Sequence, residues 1–155
     1  DGAAAALVSS KGSGLKIKDF YSQLFKEGEN DMAWAIGDFG FEMKLSKYVP
    51  ELLKNGLSTI LEVLEKKYQL SHIQNFAIHP GGKQILQKLE EVFGITREQN
   101  EFSYDILRNF GNMSSATILF VLKKWLDQKE KEGSILAMGF GPGLTLETLL
   151  LEIEQ

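Results

Sequence analysis

The 155 residues include no cysteine. Disulfides, thiolate zinc sites and a cysteine nucleophile supplied by this chain are therefore excluded. Histidine is scarce too, with only His72 and His79, and the pair offers no metal-ligand spacing. No run of about 18 apolar residues occurs, so no transmembrane helix is expected. The N-terminus lacks the charged and apolar regions of a signal peptide, and a cytoplasmic location is expected. Neither a G-x-S-x-G elbow nor a G-x-x-x-x-G-K-S/T loop is found, which leaves serine-hydrolase and P-loop readings unsupported. Net charge is only -4, and the basic residues are interleaved with acids, as in "KEKEG". A nucleic-acid partner needs clustered Lys and Arg, so none is expected.

What remains is the balance of a globular protein, 43% hydrophobic and 25% charged. The length suits one domain spanning 1–155. The chain opens on "DGAAAALVSS", apolar from the first residues, which reads as a cut made inside a larger protein. Residues 3–8 are expected to form a buried strand, and a second extended segment begins at 15–20. "DMAWAIGDFGFEMKLS" alternates Met32, Trp34 and Ile36, breaks at Gly37-Asp38 and resumes with Phe41, Met43 and Leu45, the pattern of a hairpin. From Ser46 the apolar period changes to three and four through Val49, Leu52, Leu57, Ile60 and Leu64, predicting a helix. "NFAIH" predicts a short buried strand. Ile85, Leu86, Leu89, Val92 and Phe93 mark a helix after Pro80, capped by Gly94. Further helices are expected at about 102–109 and from "GNMSS" to near Gly133. The tail "SILAMGFGPGLTLETLLLEI" reads as two strands about a Gly-Pro turn, although its leucine-rich half also has helical periodicity. Strands alternating with helices predict an α/β domain with a mixed sheet.

Two side chains stand where chemistry is expected. His79 follows a strand end, the place where open α/β sheets gather ligands. A core histidine with one satisfied nitrogen fits that position as well. The following Gly81 and Gly82 allow a backbone to approach a ligand closely. Asn112, in "FGNMSSA", is by type most often a turn or cap residue, and Ser114 or Ser115 fills the N-cap place equally well. If His79 and Asn112 converge, both can donate N–H groups to an oxygen that becomes negative, each donor being worth about 3 kcal/mol in a dry site. "GFGPG" is a poor dinucleotide fingerprint because Pro142 interrupts it; a tight turn lining a cavity is the better reading. His72 and the adjacent Glu90 and Glu91 are expected to face solvent.

Five segments together resemble one family, the type III polyketide synthases of the chalcone and stilbene synthase group: "DGAAA" (1–5), "GDFGFEMKLS" with "VP" (37–50), "HPGG" (79–82), "GNMSSA" (111–116) and "GFGPGLTLET" (139–148). They lie in the family's order along nearly the whole chain. The resemblance implies a thiolase-like α-β-α layered domain around a mixed five-stranded sheet, here the C-terminal half of a condensing enzyme. Residues 1–10 would be the last strand of the N-terminal half. It further implies a Cys-His-Asn mechanism in which a cysteine takes a starter from acyl-CoA and malonyl-CoA is decarboxylated and condensed with it. His79 and Asn112 match the family's histidine and asparagine. Gly139, Phe140, Gly141, Pro142 and Gly143 match the loop shaping the cyclisation cavity. Met43 falls near a bulky gatekeeping position, and Gly81 and Gly82 would face the coenzyme A tunnel. Coenzyme A thioesters are substrates, no cofactor or metal is implied, and a homodimer is expected. The cysteine belongs to the missing N-terminal half, so this chain alone is expected to be inactive and, with apolar surface uncovered, to self-associate. A ketoacyl-ACP synthase III-like enzyme of the same superfamily is the nearest rival, disfavoured by "HPGG" and "GFGPG". A non-catalytic half-domain with an assembly role is the reading from a different class.

Overall fold

The computed structural model describes residues 1–46, 60–128 and 132–154. In chain order the elements are β1 (Gly14–Leu24), β2 (Met32–Gly37), β3 (Gly40–Leu45), α1 (60–68), β4 (Asn75–Ile78), α2 (Lys83–Phe93), α3 (Glu101–Phe110), α4 (Ala116–Leu126), β5 (Ser134–Gly141) and β6 (Thr145–Glu154). Four strands form one sheet in the order β1-β6-β5-β4, with β4 and β5 parallel and the other pairings antiparallel. β2 and β3 form a separate antiparallel hairpin closed by the two-residue turn Asp38-Phe39.

The sheet is covered on both faces, which explains the near-continuous apolar runs of β4 and β5. Phe76, Ile78, Leu136 and Met138 point to one side and pack with Leu86 and Leu89 of α2 and with Ile60 and Leu64 of α1. Ala77, Ile135, Ala137 and Leu151 point to the other and meet Ile106 of α3 and Val121 and Trp125 of α4. The result is the α-β-α layering expected. The helix ends follow backbone chemistry. Gly94 (φ 63°) and Gly111 (φ 73°) adopt the positive φ that disfavours other residues, and they stop α2 and α3.

The structure departs from the sequence reading at several points. The main sheet has four strands, not five, among the described residues. Residues 3–8 are not a buried strand: they have no regular secondary structure, and Leu7 is 96% exposed. An extended segment becomes a strand only when another strand takes up its backbone groups, and none of the described strands pairs with it. α4 ends at Leu126, short of Gly133. After Trp125 and Leu126 the run "DQKEKEG" has no apolar stripe to bury, and packing is what sustains a helix of this length. Of the helix expected from Ser46, residues 47–59 lie outside the described residues, and 60–68 are helical with Leu64 fully buried. The leucine-rich tail is strand β6. It sits centrally between β1 and β5, and both of its faces can therefore be apolar.

Candidate functional site

β4 and β5 run side by side, and their carboxyl ends deliver the first candidates. His79 follows β4 directly, and its N–H donates to Met138 O at 2.7 Å, extending the ladder one residue beyond the strand. The chain then turns tightly: Gly81 N–H donates to His79 O at 2.9 Å. This folds Gly81 back beneath the imidazole, whose Cδ2 lies 3.7 Å from where a Cβ on Gly81 would stand. A Cβ on Gly82 would meet nothing within 4 Å, so open space lies over the start of α2. The imidazole is half-buried, and burial pushes its pKa below the ordinary value. Burial penalises the charged form, which leaves a neutral ring with one N–H donor and one acceptor nitrogen.

Asn112 reaches the same segment from the end of α3. Its Nδ2 donates to Gly81 O at 3.2 Å, and its Oδ1 accepts the N–H of Ser114 at 2.9 Å. The second bond is the local turn function that its residue type suggests. Together the two bonds fix which end of the carboxamide is which, because a carbonyl needs a donor and an N–H needs an acceptor. One Nδ2 hydrogen remains for another acceptor. Behind it the turn is held by Thr117, fully buried, whose Oγ1 accepts the N–H of Met113 and donates to Ser114 O, both at 2.8 Å. His79 and Asn112, 33 positions apart in the sequence, thus share Gly81 between them.

Gly139 to Gly141 form the last residues of β5 beside this point, directly after Met138, and Pro142 and Gly143 begin the turn to β6. Phe140 packs against the core shared with α2, and Pro142 is exposed in the turn to β6. Two of the glycines have steric reasons to be there. A Cβ on Gly141 would stand 2.9 Å from Thr145 Oγ1, and Gly143 has φ 124°. The N–H of Gly143 donates to Met32 O at 2.9 Å, tying the turn to the base of the β2–β3 hairpin. Met43 lies on that hairpin opposite Trp34 and is half exposed. A cavity of about 550 Å3 is lined by Phe76, Ile73, Phe93, Ile95 and Glu65, among others. It lies around the amino end of β4, and none of residues 139–143 lines it. The expectation that "GFGPG" lines a cavity is therefore not met by this one.

Glu90 is not solvent-facing as expected. It is half-buried, accepting the hydroxyl of Tyr104 at 2.9 Å and approached by Asn100 Nδ2 at 3.5 Å. Sequence reasoning also missed Ser103, which is fully buried with its Oγ accepting the N–H of Ile78 at 3.0 Å. The available signal was a serine three residues before Ile106, on the buried stripe of α3. No group of three or more His, Cys, Asp or Glu side chains among the described residues is placed to hold a metal. No helix among them is long and apolar enough to cross a membrane.

Comparison with known proteins places this geometry in context. Residues 16–154 match the family described as chalcone and stilbene synthases, C-terminal domain. The chain is 33% identical to an alpha-pyrone synthesis polyketide synthase-like protein of Mycobacterium tuberculosis over 88% of its own length and 36% of that protein's. It is 30% identical to a type III polyketide synthase of Penicillium soppii, over 88% of this chain and 39% of the relative. Among solved structures, it superposes on 1,3,6,8-tetrahydroxynaphthalene synthase from Streptomyces coelicolor with a TM-score of 0.84 at 28% identity, over 94% of this chain and 42% of the other. The chain spans less than half the length of each of these relatives.

Proposed function

The chain belongs to the chalcone and stilbene synthases, as their C-terminal domain, and from that premise we propose that it supplies the decarboxylation and condensation donors of a type III polyketide synthase. The substrates are malonyl-CoA and an acyl-CoA starter, and the nucleophilic cysteine comes from outside this chain. The observation that carries the reading is the meeting of His79 and Asn112 at Gly81, at the carboxyl ends of two parallel strands. Loss of CO2 from a malonyl thioester leaves an enolate, whose negative charge gathers on the thioester oxygen. A neutral imidazole N–H and the unused Nδ2 hydrogen of Asn112 are donors suited to that oxygen, and both are preorganised by backbone bonds. The acceptor nitrogen of the same neutral imidazole suits removal of the thiol proton when the cysteine is loaded. The open space over Gly82 leaves room for the pantetheine arm. Gly139–Gly143 and Met43 would bound the growing chain. In this reading no metal or cofactor takes part, and the working protein is a cytoplasmic homodimer containing the cysteine-bearing half.

The test uses the full-length protein and this chain side by side, with malonyl-CoA and an acyl-CoA starter. Full-length protein yields polyketide, and Asn112→Ala lowers its rate about a hundredfold or more, the usual consequence of losing one oxyanion donor. This chain alone yields none. Turnover by the isolated chain at an enzyme-like rate, or undiminished activity in the Asn112→Ala enzyme, would falsify the assignment.

A further inference from the structure

β4 is an outer strand of the sheet, so the N–H groups on its free side need partners from beyond the ladder. Two such partners are present. Phe76 N–H donates to Gln99 O at 2.9 Å, just ahead of α3, and Ile78 N–H donates to Ser103 Oγ at 3.0 Å, in its first turn. Ile78 immediately precedes His79. α3 then runs to Phe110, two residues before Asn112. The helix and the turn that follows it are therefore fastened to the same short segment, the helix by the Ser103 hydroxyl to Ile78 and the turn by the Asn112 carboxamide to Gly81 O.

We propose that Ser103 is a positioning residue for the His79–Asn112 pair, its hydroxyl fixing the strand end that leads into the imidazole against the helix that leads into the carboxamide. The inference rests on the role given above to that pair. Met138 O grips the backbone of His79 from one side at 2.7 Å, and Ser103 grips the preceding residue from the other. With the hydroxyl removed, the N–H of Ile78 is left buried without a partner, and the strand end relaxes away from α3 or admits water. Because the bond to Met138 remains, the movement is a pivot that turns His79 relative to Asn112. A misplacement of about 1 Å at reacting groups can lower a rate by about a hundredfold.

Two measurements test this. In the full-length enzyme, Ser103→Ala is expected to lower kcat by about ten- to a hundredfold with KM changed by less than about threefold, and Ser103→Thr to restore most of the loss. In this chain, nitrogen-detected NMR reads two imidazoles. Ser103→Ala should shift the His79 ring signals and the Asn112 side-chain amide while those of exposed His72 stay in place. Ile106→Val, which loosens the same helix without touching the hydroxyl, should leave all three in place. If Ser103→Ala fails to fold, Ser103→Cys, nearly isosteric and a poor acceptor, is read in the same way. Unmoved His79 and Asn112 signals, or equal movement in Ile106→Val, overturn the inference. Moved signals in a full-length protein that makes no polyketide instead sink the proposed function and leave the positioning role standing.

Discussion

Burial holds His79 below the ordinary histidine value of 6.5, so the unfolded chain takes up a proton at a pH where the native chain does not. Stability is fully present above the unfolded-state value and is lost as pH falls through it toward the folded one. Urea midpoints measured from about pH 8 down to 5 should therefore fall more steeply for the wild type than for His79→Gln. Identical slopes would mean that the imidazole is not protected from protonation. Under the proposed function, a cysteine thiolate brought beside the ring would act in the opposite direction, because a neighbouring negative charge favours imidazolium. At this scale the sequence announces some residues and hides others. His79 and Asn112 stand out through the segments that hold them, "HPGG" and "GNMSSA", since by residue type alone each also suits a core or turn role. Gly81 O and Ser103 are hidden. Their importance lies in bonds to Asn112 Nδ2 and to Ile78 N–H, partners 31 and 25 residues distant, and no local pattern encodes those pairings.

α2 and α3 set the distance between Gly81, just ahead of one helix, and Asn112, just after the other. Their side-chain clamp is Glu90 with Tyr104. Burial together with Glu90 pushes the Tyr104 phenol up to about 12, so its O–H donor persists throughout the neutral range. Arg97 lies over the same ring, 4.1 Å from its centroid. Tyr104→Phe keeps the ring and deletes only the donor to a partly buried carboxylate, so it should destabilise the fold by about 1–3 kcal/mol in urea denaturation. A change of under half a kilocalorie would show that solvent already satisfies Glu90. The existence of these helices is readable from their apolar spacing and, for α2, from its terminal glycine Gly94. The inward turn of Glu90 is not. An acid beside another acid on an amphipathic helix looks solvated until a tyrosine from a second helix is brought over it.

Across the whole molecule, the layered sheet is readable because β4 and β5 are apolar on both faces, which requires cover on each side. Residues 3–8 are also apolar, but none of the described strands pairs with them, and composition alone cannot supply one. The β2–β3 hairpin shows a related imbalance. Trp34, Ile36, Phe41 and Met43 share one face by cross-strand register, with Ile36 89% and Phe41 75% exposed. Contiguous apolar surface of this kind drives association. Light scattering should report a mass above one chain that rises with concentration, and Ile36→Lys with Phe41→Lys should lower it without loss of helicity. A monodisperse monomer in the wild type would count against the exposed face.

The tip of that hairpin has a further consequence. Phe39 projects fully into solvent from a two-residue turn, while β1, on its N-terminal side, is laced to β6 along nearly its whole length. Limited digestion with an aromatic-specific protease should therefore cut first after Phe39. The two pieces should then co-elute as one particle until denaturant parts them, because what joins residues 1–39 to the remainder is the β1–β6 ladder as much as the peptide bond.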